Sequence, residues 1–123
     1  MLFNQNIIAE ILRSSFGNEI EEFVNDCVTD LEDYDLEDVF TETVDFAVLD
    51  CIDEIAVEDY RVEDEEDGRT VSGELGITAV LDGFETVGSE NVFKDTGVTV
   101  FEAAFSFYAV GGKYSDIELE YLY

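Results

Sequence analysis

Between Val71 and Leu81 the chain alternates with a period of two: Val71, Gly73, Leu75, Ile77, Ala79 and Leu81 on one side, Ser72, Glu74 and Thr78 on the other. Successive strand residues point to opposite faces, so this run specifies a strand with one face in a core and the other in water. Such a strand needs neighbours, and two further candidates follow it, 98–110 and 114–123, separated by Gly111-Gly112-Lys113. Register discriminates between the loops that could join them. A two-residue loop would pair Phe107 with Asp116 and Phe105 with Glu118. A three-residue loop pairs Phe107 with Ile117, Phe105 with Leu119 and Ala103 with Tyr121, which keeps the apolar residues on one face. The three-residue loop is therefore expected. It leaves Glu102, Asp116, Glu118 and Glu120 on the opposite face as a row of acids, same-face neighbours lying about 6.7 Å apart.

Upstream the periodicity is helical. Ile7, Ile8, Ile11 and Leu12 predict a first helix stopped at Phe16-Gly17, with Gly supplying a left-handed end. Asn18 followed by Glu21 reads as a capping box that opens a second helix through Ile20, Phe23, Val24, Cys27, Val28 and Leu31. Its opposite face carries Glu19, Glu22, Asp26, Asp30 and Asp33. A third helix is predicted from Asp35 to Ala56, with Leu36, Val39, Phe40, Val44, Ala47, Val48, Cys51, Ile52 and Ile55 inward and Asp38, Glu42, Asp45, Asp53 and Glu54 outward. The expected fold is α+β: three N-terminal helices in 1–67 packed on one face of a C-terminal antiparallel sheet of three to four strands in 68–123, all in one domain.

The chain carries 32 acids against five Lys and Arg and no His, a net charge of −27. With 46% hydrophobic residues, ten of them Phe and six Tyr, it is not a disordered acidic tail. B-DNA carries about one charge per 1.7 Å of axis, so this charge equals that of about 46 Å of duplex, on a globule about 35 Å across. Such a surface repels nucleic acid and anionic membranes and attracts basic proteins. No apolar stretch approaches membrane-spanning length, and Met1–Asn6 lacks the cationic start of a secretory leader. Cys27 and Cys51, too few for a disulfide framework and read as apolar helical positions, fit reduced core thiols in a cytoplasm.

Catalysis has little to stand on, because His is absent and the serines and cysteines have no evident base; no enzyme activity and no cofactor is expected. Val110-Gly-Gly-Lys113 lacks phosphate-loop spacing and reads as a hairpin turn. Glu63-x-Glu65-x-Asp67-Gly68-x5-Glu74 reproduces the spacing of a calcium-binding EF-hand loop, although Glu63 stands where Asp is expected and Glu74 falls in a strand. A salt-rich cytoplasm is a second alternative, since screening there removes self-repulsion. Against it, residues 1–18 hold one acid and one base, whereas 19–67 hold 22 of the 32 acids.

On the predicted helices Glu19/Glu22, Glu22/Asp26, Asp26/Asp30, Asp30/Asp33, Asp38/Glu42, Glu42/Asp45, Asp50/Asp53 and Asp50/Glu54 are like-charge neighbours, costing about 1.6–4 kcal/mol in total. A merely solvated surface would intersperse Lys. Retained repulsion points to use by a positively charged partner, and the candidate contacts are Glu19, Glu22, Asp26, Asp30, Asp33, Asp38, Glu42, Asp45, Glu58, Asp59, Glu63, Asp64, Glu65, Glu66 and Asp67. In size, charge and folded acidic composition the whole chain resembles the DNA-mimic inhibitors of phages and mobile elements, including anti-restriction and anti-CRISPR proteins. No diagnostic motif accompanies the likeness. The resemblance implies that carboxylates stand in for phosphates in the Lys/Arg-lined groove of a Cas nuclease, a restriction enzyme or another DNA-binding protein.

Overall fold

The alternating run at Val71–Leu81 is the middle of a strand nearly twice as long. The computed structural model describes residues 2–122. Its elements are α1 (Gln5–Ser15), α2 (Gly17–Thr29), α3 (Asp33–Val39), β1 (Phe46–Asp64), β2 (Arg69–Val87), β3 (Glu90–Val110) and β4 (Lys113–Tyr121). The strands form one antiparallel meander in the order β1-β2-β3-β4, so the fold is α+β with the sheet dominant. The inward residues of β2 lie where the alternation put them. Val71, Leu75, Ile77, Ala79 and Leu81 join Phe101, Ala103, Phe105 and Phe107 of β3 in a core closed by Ile8, Ile11 and Leu12 of α1 and Ile20, Val24 and Cys27 of α2. Among the described residues no helix packs on the other face of the sheet. Among the described residues no helix is long and apolar enough to cross a membrane.

The junction of the first two helices differs from expectation. Gly17 is the first residue of α2, and neither a left-handed glycine nor an Asn18 cap separates the helices. The chain bends at Phe16 (φ −124°), whose buried ring lies 5.5 Å from that of Phe107. Core packing of that ring fixes the corner, and Asn4 supplies a true side-chain cap, accepting the Ile7 N–H at 2.8 Å.

The predicted helix 35–56 is corrected. Only α3 is helical there, opened by a capping box in which the Asp35 carboxylate accepts the Glu32 N–H at 2.9 Å, and β1 begins at Phe46. The boundary at 67/68 between a helical and a β half is thereby moved back by about twenty residues. The reason lies in β1 itself. Its register against β2 shifts at Leu49/Cys51, Ile52/Glu54 and Val57/Asp59, leaving Asp50, Asp53 and Glu58 as extra residues. The core-facing set is therefore Ala47, Leu49, Ile52, Ile55, Val57, Tyr60 and Val62. Its steps of three, each made where a bulge adds one residue to a period of two, imitate the i+3 step of a helix. Cys51 accordingly lies exposed on the outer face, while Cys27 is buried.

The last hairpin reaches the expected distal register by another route. Ala103 pairs with Tyr121 and Phe105 with Leu119, yet Val110 pairs with Lys113, so the loop is the two residues Gly111 and Gly112. Their φ values of 55° and 81° suit the tight primed turn that hairpins favour. The extra residue sits in β4, where Asp116 (φ 57°) forms a bulge opposite Phe107.

Candidate functional site

The three bulges of β1 decide which acids the sheet displays. At each one two consecutive residues avoid the core, giving the pairs Asp50-Cys51, Asp53-Glu54 and Glu58-Asp59, all exposed. With Glu63 they line the outer side of β1 with six carboxylates between the rungs of Leu81 and Thr70. Ten rungs of antiparallel sheet span about 34 Å, so carboxylates recur about every 6 Å, roughly half the linear charge density of one DNA strand. Arg61, the cation within β1, is 3.8 Å from Glu63.

Neighbouring strands widen this row. Asp59 pairs with Glu74, Glu74 with Ala104 and Ala104 with Glu120, while Glu118 pairs with Ser106 two rungs further along the same face. Glu102 folds over Gly76, where an added Cβ would lie 3.6 Å from a Glu102 carboxylate oxygen. A hydrogen bond shared with Glu58, then burial, then the charges of Glu58 and Glu74 hold the Glu102 carboxyl above the usual carboxylate range. Carboxyls from β1, β2 and β3 thus crowd together over Gly76. A further cleft of about 370 Å³ between the start of α2 and β1 is lined by Glu21, Asp50, Asp53 and Glu54, with Arg13 at its side.

The fifteen acids singled out from sequence do not form one strip. Glu19, Glu22, Asp26 and Asp30 are exposed on the α2 layer, with Asp33 and Asp38 on α3, across the core from the outer sheet face. Glu58, Asp59 and Glu63 belong to β1. Asp64, Glu65, Glu66 and Asp67 sit at the β1–β2 turn, where Asp64 pairs with Arg69 at 3.4 Å and the Glu65 carboxylate accepts the Thr70 hydroxyl at 3.1 Å. Glu42 lies in the irregular segment before β1. Asp45 is structural: its carboxylate accepts the Thr86 N–H at 2.7 Å and pins the start of β1 to β2. Of the eight like-charge helix pairs, Glu19/Glu22, Glu22/Asp26 and Asp26/Asp30 keep their helical spacing, and they cost about 0.6–1.5 kcal/mol in total. Asp50, Asp53 and Glu54 were hidden inside the predicted helix; the two-and-three spacing of the apolar residues between Leu49 and Val62 was the signal that places them on a bulged strand.

The EF-hand spacing does not make an EF-hand. Glu74 is in the middle of β2, six residues and about 20 Å along the strand from Gly68, so the loop cannot close on one ion. Among the described residues no group of three or more acids, Cys or His is arranged to hold a metal ion.

One further acid organises the approach to β1. Asp95 of β3 accepts from the Thr41 hydroxyl at 2.9 Å and N–H at 3.0 Å and from the Thr96 N–H at 2.9 Å. These bonds, the Thr41 hydroxyl first, hold its carboxyl below the usual range. No protein-family model, curated protein or solved structure matches the chain.

Proposed function

We propose that this protein is a DNA-mimic inhibitor that occupies the basic nucleic-acid-binding groove of a nuclease or another DNA-binding protein, an anti-CRISPR or anti-restriction role being its most concrete form. The observation that carries the reading is the bulged first strand. A strand of ordinary alternation presents one outward residue per rung pair, whereas β1 adds an acid at each of its three irregularities. The insertions enlarge the outward negative charge without altering the apolar set that the core requires. A groove lined with Lys and Arg would meet Asp50, Asp53, Glu54, Glu58, Asp59 and Glu63 along one edge and Glu74, Glu102, Glu118 and Glu120 beside them. Attraction between exposed charges accelerates encounter and weakens with salt. The acids of α2 and α3 form a second negative surface that adds long-range attraction from the opposite side.

The test is inhibition of DNA cleavage by purified Cas nucleases and restriction endonucleases, with duplex DNA as competitor and NaCl varied. The reading expects duplex DNA to displace the protein and affinity to fall steeply with salt. It also expects the triple variant Asp50→Asn/Asp53→Asn/Glu58→Gln to lose more affinity than Glu19→Gln/Glu22→Gln/Asp26→Asn, which removes equal charge from the helical layer. Binding that duplex DNA cannot compete would eliminate groove occupancy.

A further inference from the structure

The outer face of the sheet is not acidic along its whole length. From the rung of Glu54, Thr78 and Val100 to that of Phe46, Phe84 and Phe93, the residues turned away from the helices are mostly apolar. Phe84 stacks on Phe46 with ring centroids 5.5 Å apart and meets Phe93 edge-on at 6.0 Å. Val48, Val80, Val98 and Val100 continue the surface on the rungs between, and all but Val80 are exposed. Phe84 and Thr78 lie about 20 Å apart along β2, and three strands give the patch a width of about 10 Å. Asp82 falls within it and accepts the Thr96 hydroxyl at 3.2 Å. Contiguous apolar surface of a few hundred Å² is about the most that a soluble monomer exposes, and it commonly marks a docking site.

The acids decide what can cover this patch. Asp50, Asp53 and Glu54 follow its β1 side. Its other end runs into the acidic rungs without a gap, because a Cβ added at Gly76 would lie 3.4 Å from Val100 and 3.6 Å from the Glu102 carboxylate. An occupant must therefore bring apolar side chains to the patch and positive charge to its border. A nucleic acid, an anionic membrane and a second body of charge −27 are all repelled. We infer that the patch receives apolar side chains of the basic partner itself, which lie on Val98 and Val100 while neighbouring Lys and Arg residues reach the acids of β1 and Glu102. The inference rests on the reading above in taking the outer sheet face as the side that the basic partner meets. It adds a contact of a different kind. Salt screens charge pairs but does not weaken apolar burial, so the partner stays bound at ionic strengths where charge pairing alone has faded.

Titration of the full chain with two synthetic peptides tests the inference over a NaCl series. The peptides have equal length and equal Lys content, and carry Leu in one and Ser in the other at the remaining positions. Both should bind at low salt and weaken with the same slope, the Leu peptide remaining tighter by at least about tenfold at high salt. Val98→Thr/Val100→Thr, at positions 58% and 52% exposed, keeps side-chain shape and strand preference. It should remove most of the difference between the peptides, while the circular dichroism spectrum and the affinity for the Ser peptide stay unchanged. Tyr34→Ser, exposed on α3 across the core, should leave both affinities as they were. Equal affinity for the two peptides, or a difference that survives the Val substitutions, would overturn the inference and leave groove occupancy standing. Failure of both peptides to bind at low salt would overturn it together with the attraction to basic partners that the reading above requires.

Discussion

Deleting single residues from β1 separates the roles of its bulges from those of its rungs. Asp53 has no partner on β2, and removing it leaves Cys51 opposite Val80, Ile52 opposite Ala79 and Glu54 opposite Thr78. The strand then simply alternates, the core set is unchanged, and one carboxylate leaves a crowded edge. The expected change in stability is within about 1 kcal/mol, toward stabilisation. Ala56 pairs with Gly76, and removing it makes Ile55 and Val57 adjacent. Both are buried, at 6% and 7% exposure, and successive strand residues cannot both face inward. The least costly repair keeps Val57 and Ile52 in place, abolishes the bulge at Asp53 and puts Glu54 where Ile55 was. That forfeits about 2–3 kcal/mol of Ile burial and adds a carboxylate desolvation penalty of about several kcal/mol. The sum, at least about 4 kcal/mol, is a large share of the about 5–15 kcal/mol that holds a domain together. Urea unfolding followed by far-ultraviolet circular dichroism at fixed ionic strength measures both variants, with the slope reporting whether the same surface is exposed. Equal losses from the two deletions, or failure of the Asp53 deletion to fold, would refute the account of β1.

Phe107 is 1% exposed, with ring contacts to Phe16, Phe105 and Tyr114, so Phe107→Ala should cost about 3–5 kcal/mol in the same assay. Because the folded protein raises the Glu102 pKa, its contribution is favourable below the unfolded value of 4.5 and is lost as pH rises through the folded value. The stability difference in favour of Glu102→Gln should therefore grow as pH rises above 4.5 and then level off; a flat difference would remove the crowding argument. Asp95 has the opposite sign, its contribution being present above 3.8 and lost as pH falls through the lowered folded value. Asp95→Ala should accelerate amide exchange at Thr41 and Glu42 at neutral pH, read by mass spectrometry, while α1 amides exchange as before.

Local pattern alone determined much of this protein. The alternation at Val71–Leu81 specified the central strand and its inward face, and the apolar stripes specified α1 and α2. The match of Phe105 with Leu119 set the end of the last hairpin, because a one-residue slip would have put every apolar side chain in water. The charge imbalance and aromatic content determined that a folded, strongly anionic body results. Only the tertiary structure decided where unmatched residues go. Gly111 and Gly112 can accept a two-residue turn, so the surplus residue of that hairpin moved to Asp116, and in β1 the surplus residues became Asp50, Asp53 and Glu58. The apolar steps of β1 mix the three residues of a helix with the two of a strand; β2, lying alongside, determines that the strand is formed and where its surplus residues go. Nor does charge counting reveal sidedness: the helices cover one face of the sheet, so acids such as Asp38 on α3 and Asp59, which pairs with the outward Glu74, end on opposite sides of the core.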